Sequence, residues 1–188
     1  MMTRPSNPAL YVLTVALKEH HDDLLAQWLE WITERVAQAP HVSRPTLQRH
    51  LALLIDLIIE LSGPLRRQAT ELWFAACEAY GQTAAARGLA AGEVVEELQQ
   101  LRELLIRMLS EAVALMSPRQ SMTAVLRLNR TIDRGITHAV VGYTDALVET
   151  LLNRRGVPIV ATQPGEDEVL QRLTHLESEL DQLRRQSR

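Results

Sequence analysis

YGQTAAARGLAAGEVVEELQQLRELLIRML, residues 80–109, decides the fold. An alanine-rich helix runs up to Arg87, and Gly88 stops it, because glycine takes the left-handed conformation of a helix C-terminus without a Cβ clash. A second helix then opens in which Val94, Leu98, Leu101, Leu105, Met108, Ala112 and Leu115 alternate at spacings of four and three. That spacing gathers them on one stripe, and such a seam buries against other helices. A separate C-terminal segment repeats the seam with Val169, Leu173, Leu176, Leu180 and Leu183.

Almost everything else reads as helix too, since Ala, Leu, Glu, Gln and Arg are abundant and aromatic content is only 4%. A first helical region covers residues 8–38, with a bend near 20–23, and stops before Pro40. Its inner face is Leu10, Leu13, Leu17, Leu24, Trp28, Ile32 and Val36, with Trp31 at the edge. Ser43 is placed as an N-cap ahead of Pro45, and that second helix turns Leu47, Leu51, Leu54, Ile58 and Leu61 inward before Gly63. Pro64 opens the third helix. Its LWFAAC centre, residues 72–77, is apolar around most of the circumference, so it is expected to be central or to offer Phe74 to a subunit interface.

The fourth helix is expected over residues 92–116 and the fifth over residues 122–155. The main stripe of the fifth is Val125, Ile132, Ile136, Val140, Tyr143, Leu147 and Leu151. Gly135 and Gly142 lie near one face of it and would let another helix approach closely, a second candidate interface. GVPIVATQPG, residues 156–165, reads as an extended linker. The fold class is therefore all-α: a helical bundle of about five main helices over residues 1–155, a linker over 156–165, and a coiled-coil helix over 166–188.

Composition sets outer bounds. The 188 residues suit one domain plus an appendage, and a net charge of −3 gives no general attraction to nucleic acid or an anionic membrane. A lone cysteine, Cys77, cannot form an intramolecular disulfide and fits a reducing cytoplasm. The apolar run at residues 9–17 lacks a cleavage pattern. The run at 51–61 is too short to span a bilayer and carries Asp56 and Glu60. The expectation is a soluble cytoplasmic protein with neither nucleic acid nor membrane as partner.

With Leu173 and Leu180 at a and Leu176 and Leu183 at d, Arg172 and Glu179 fall at g, and Glu177 and Arg184 at e. A parallel dimer sets Arg172 opposite Glu177 and Glu179 opposite Arg184, opposite signs in both cases. An antiparallel pair satisfies the same charges, and a fold-back onto the bundle is the alternative to either. The reading adopted is a dimeric coil, because the linker separates this helix from the bundle.

Other constellations carry less. Glu19–His20–His21–Asp22–Asp23 has ligand-type side chains, but the chain contains no Glu-x-x-His of the kind di-iron bundles place on two helices. His50, flanking an apolar helix face, and His138, with Arg134 and Asp145 on a polar one, have no recognisable haem-ligand partner. Cys77 reads as a small core residue. There is no phosphate loop, GxSxG, CxxC or HExxH, and Glu96–Glu97 reads as a pair of helix-surface charges.

The stretch from Trp28 to about Leu151 resembles the N-terminal helical domain of RsbT co-antagonist proteins of the RsbRD type. The pattern begins with WLEWI at 28–32 and continues through AYGQTAAARGLAAGEVVEELQQLRELL at 79–105 and LNRTIDRGITHAV at 128–140. Its most family-like core is Arg87, Gly88, Val94, Leu98, Leu101 and Arg102. The resemblance implies a dimeric, non-catalytic helical input domain, globin-like in architecture and carrying no assured cofactor. No STAS, kinase or other output domain follows, so the chain is read as an excised input portion or as a freestanding module. The expected partners are a second copy and a downstream signalling protein or output domain, with no cofactor and no metal. The competing class is a helical carrier of haem or a lipid-like molecule.

Overall fold

The computed structural model describes residues 8–35, 42–154 and 165–186, and every regular element among them is an α-helix. The expected first helix is two, α1 (Pro8–Glu19) and α2 (His21–Arg35), which meet at His20. Lys18 in the last turn of α1 and Asp22 and Asp23 in the first turn of α2 each favour their own helix dipole, so the charges support the break. Leu13, Leu17, Leu24, Trp28 and Ile32 are buried. Val36, the side chain of Leu10 and linker residues 156–164 lie outside the described residues.

Ser43 caps α3 (Arg44–Ser62), its Oγ accepting the Thr46 N–H at 3.4 Å. The buried face is wider than expected: Leu53, Ile55, Leu57 and Ile59 are enclosed along with Leu47, Leu51, Leu54 and Ile58. The cause is that α1, α2, α4 and α8 all pack on this helix. Central in the bundle is α4 (Arg66–Ala86), in contact with α3, with α7 (Pro118–Arg154) and with α8 (Glu166–Gln186).

Gly88, at φ +79°, ends the α4 segment. Its N–H donates to Ala85 O at 2.9 Å and the Leu89 N–H to Ala84 O at 3.2 Å, the paired bonds of a Schellman cap. In α5 (Ala91–Met108), Val94, Leu98, Leu101 and Leu105 are buried, as the seam requires. The helix expected to reach residue 116 instead breaks at Leu109 and is followed by the short α6 (Ser110–Ala114). Ser110 turns its hydroxyl back to Arg107 O at 2.7 Å, competing with the helical ladder. Leu115, the last expected seam residue, is 87% exposed. Among the described residues no helix is long and apolar enough to cross a membrane.

The inward side of α7 is its small-residue side. Ala124, Ile132, Ala139, Tyr143 and Ala146 are buried, whereas Leu147 and Leu151 of the expected stripe are exposed. Backbone proximity explains this. A Cβ on Gly142 would stand 2.1 Å from the Glu78 carbonyl oxygen, and one on Gly81 1.8 Å from that of Ala139. At Gly135 it would stand 2.4 Å from the Trp73 ring. Gly135 and Gly142 thus admit a neighbouring helix, and that helix is α4 of the same chain.

Gly81→Ala and Gly142→Ala should each destabilise the protein by about 1–3 kcal/mol or more through overpacking, although Ala is intrinsically the better helix former by up to about 1 kcal/mol. Gly92→Ala, with nothing within 4 Å of the added Cβ, should be neutral or stabilising. Urea denaturation of the three variants checks this. Stabilisation by Gly142→Ala would contradict the close α4–α7 approach.

Candidate functional site

Where α4 ends and α5 begins, the chain buries a complete ion pair. Arg87 Nη1 donates to Glu97 Oε2 at 3.0 Å and Nη2 to Oε1 at 2.5 Å, with both side chains almost wholly enclosed. The Tyr80 hydroxyl donates to Glu97 Oε2 at 2.5 Å, and the Trp28 indole N–H donates to the Glu97 carbonyl oxygen at 2.9 Å. Three helices, α2, α4 and α5, are tied at one residue. Burial pushes the Tyr80 pKa well above its ordinary value. Burial alone would lower that of Arg87, but Tyr80 and Glu97 together outweigh it and raise it, so the guanidinium keeps its charge. Arg87, Tyr80 and Trp28 all donate to Glu97, so the cluster joins helices that are distant in sequence.

Glu96 and Glu97 therefore part company. Glu96 pairs with Arg35 at 3.1 Å in the open, while Glu97 is buried. The sequence held a signal for it, since Val94, Glu97, Leu98 and Leu101 fall at i, i+3, i+4 and i+7, which places the carboxylate inside the seam.

His50 stands beside this cluster, fully buried, its ring edge-on to Tyr80 with centroids 5.3 Å apart. Its Nε2–H donates to the Ala76 carbonyl oxygen at 3.1 Å, and Nδ1 has no hydrogen-bond partner. Desolvation lowers its pKa to about 4, and the cations of Arg172 and Arg87 push the same way. A small cleft of about 140 Å³, lined by His50, Gln82, Thr83, Glu168 and Arg172, lies between this ring and α8.

The C-terminal helix is docked on its own bundle. Val169, Leu173, Leu176 and Leu180 are buried in the common core, and Leu183 packs against it half-buried. Their partners are α3 and α4. Glu166 Oε1 accepts the Ser43 N–H at 3.1 Å and the Thr46 hydroxyl at 2.5 Å, and these bonds hold its pKa below the usual carboxylate value. Arg49 Nε donates to Glu177 at 2.7 Å. Arg184 reaches Glu60 at 2.8 Å and Asp56 at 3.1 Å, and Arg172 bonds Gln82. Of the e and g charges that would cross a dimer interface, Glu177, Arg184 and Arg172 here meet α3 and α4 instead, while Glu179 lies 3.4 Å from His175 of its own helix. In this arrangement the helix folds back, the alternative to the coil.

The remaining expected residues sit elsewhere. Phe74 is half-buried and stacks on His138 with centroids 4.1 Å apart and 11° between planes, so it contacts α7 of its own chain. His138 bonds Glu78 at 2.8 Å rather than standing on an open polar face with Arg134 and Asp145. Burial raises the pKa of the enclosed Cys77 well above its ordinary value, against thiolate chemistry. In the acidic His stretch, His21 Nδ1 lies 2.8 Å from Asp22 and Nε2 3.9 Å from Asp56. Among the described residues no group of three or more His, Cys, Asp or Glu is placed to hold a metal ion.

Arg87→Met should cost about 3–5 kcal/mol by stranding the buried Glu97 carboxylate. Arg102→Met breaks the partly exposed pair with Asp133 and should cost about 1 kcal/mol or less; equal losses in urea would contradict the assignment. For His50, the folded pKa lies below the unfolded one, so the unfolded chain takes the proton first as pH falls. Stability should decline from about pH 6.5 to about pH 4, and His50→Gln should flatten that part of the profile. Parallel profiles would contradict the buried, neutral histidine.

A search of curated proteins gave no match, and neither did a search of solved structures. Residues 22–157, spanning α2 to the end of α7, match the family described as the RsbT co-antagonist protein rsbRD N-terminal domain. That span contains the Arg87–Glu97 pair, the Gly88 cap and the glycine contact of α4 with α7, and the chain belongs to this signalling-domain family.

Proposed function

We propose that the chain is a non-catalytic cytoplasmic input domain of a bacterial signalling system. It homodimerises and relays its state through α7 and α8 to a downstream signalling protein or output domain. The observation that carries this reading is the docking of a heptad helix on its own bundle. α8 lies beyond the family match, and its leucines and its e and g charges suit two mutually exclusive partners, the bundle or a second copy. Docked, Glu177 meets Arg49 and Arg184 meets Asp56 and Glu60. Released and paired in parallel, Glu177 faces Arg172 and Arg184 faces Glu179 of the second copy.

Such an equilibrium is what a relay requires, because a signal shifts it only by binding the two arrangements differently. The polar ties of the docked state are partly exposed, and pairs of that kind contribute about 1 kcal/mol or less each. The buried polar groups at the Arg87–Glu97 cluster satisfy one another, which gives catalysis no support there.

Asp56→Lys with Glu60→Lys sets like charges against Arg184 and leaves the α8 seam untouched. This double variant should dimerise about tenfold more tightly, a change of about 1.4 kcal/mol, in sedimentation equilibrium over a range of concentrations. Adding Leu176→Glu and Leu180→Glu should remove the gain. An association constant indifferent to the charge reversal would overturn the exchange of partners.

A further inference from the structure

A cavity of about 350 Å³ opens at the end of the bundle away from the Arg87–Glu97 pair. It exists because α5 stops at Leu109, so that the short α6 has to complete a wall that a continued α5 would have filled. Leu13 and Leu17 of α1, Ile58 of α3, Leu109 of α5 and Ala124 and Leu128 of α7 give it an apolar lining. The serines on its wall are already committed to helix carbonyls: Ser62 to Ile58 O, Ser110 to Arg107 O and Ser121 to Val113 O.

Two charges remain. Arg66, exposed, and Arg127, half-buried, both line the cavity, and no acidic residue does. Neither guanidinium has a carboxylate partner within salt-bridge distance among the described residues, although Arg35, Arg49, Arg87, Arg102, Arg107 and Arg184 all have one. An apolar chamber with unpaired cations selects a molecule that is apolar along its length and anionic at one end. The size narrows it further. The volume lies near the lower end of the range of about 300–1,000 Å³ for ligand pockets, and a helix about 10–12 Å across cannot enter it. Haem is disfavoured as well, because no His, Cys, Met or Tyr lines the cavity to serve as an axial ligand.

We infer that this cavity binds a single-chain aliphatic carboxylate of medium length, its chain among Leu17, Ile58, Leu109 and Leu128 and its carboxylate on Arg66 and Arg127. The inference does not depend on dimerisation or on the release of α8, so its test reads binding alone.

The test is calorimetric titration of the full chain with octanoate, decanoate, 1-decanol and decyltrimethylammonium, each below its aggregation concentration. Decanoate should bind one per chain and about sixteenfold more tightly than octanoate, at about fourfold per buried methylene. Decanol should bind at least about tenfold more weakly, lacking charge-assisted hydrogen bonds, and the ammonium should not bind. Arg66→Gln with Arg127→Gln should bring decanoate down to the level of decanol and leave decanol itself within about twofold. Ala124→Leu, which adds bulk inside the cavity, should weaken decanoate and decanol alike, with circular dichroism reporting that the fold is kept. If Ala124→Leu unfolds the chain, Val113→Leu on α6 replaces it. No saturable binding, equal affinity for the three head groups, or decanoate affinity unmoved by the arginine variants would each overturn the assignment.

Discussion

The backbones of α4 and α7 touch at Gly81 and Gly142, and the rest of the bundle is arranged around that contact. Where a Cβ would fall about 2 Å from a carbonyl oxygen of the facing helix, no side chain separates the two axes. α7 can then lie against one side of α4 with a lining of alanines, while α3 and α8 take the others. Trp73 and Tyr80 project from the same helix into the spaces between its neighbours, and the Trp73 indole N–H reaches the Thr131 carbonyl oxygen of α7 at 3.2 Å. The large side chains are outside the contact and fill the corners.

A helix enclosed on so many sides needs its end tied down. At the α4 C-terminus the Schellman bonds around Gly88 reverse the chain. The Arg87–Glu97 pair then fastens the returning α5, with Tyr80 and Trp28 bonded to the same glutamate. Buried pairs of this kind are weak contributors to net stability but costly to break one-sidedly, so they specify which helices meet rather than how firmly. The cavity lies at the other end of α4, bordered by Arg66 and the α5–α6 break. One end of the bundle is locked and the other carries the apolar cavity.

Much of this was legible in the residues. The stop at Gly88, the cap at Ser43, the α5 seam as far as Leu105 and the central position of α4 all follow from local periodicity and end signals. Among the features that were not, three have a tertiary cause. Glu97 reads as a surface charge because its partner Arg87 lies across a turn, although its place in the seam was visible. The glycines of α7 signalled close approach by a helix but not which one, and the partner is α4. The α8 leucines are the sharpest case. A heptad seam states that a helix buries one face against another helix, and both a second copy and the α3–α4 groove satisfy it, so periodicity alone could not choose. The relevant charges, Arg49, Asp56 and Glu60, sit more than a hundred residues away.

The molecule divides into a locked hub of α4, α5 and α7 and a docked arm, α8, held by one leucine seam and partly exposed ion pairs. Native-state hydrogen exchange tests that division most directly, because it reads the opening free energy of each segment separately. Amides of residues 169–183 should exchange through a local opening well below the global unfolding free energy, with residues 72–86 and 94–105 exchanging only on global unfolding. If the α8 amides share the protection of α4 and change with it in parallel as urea is added, the helix is part of the hub and not an arm.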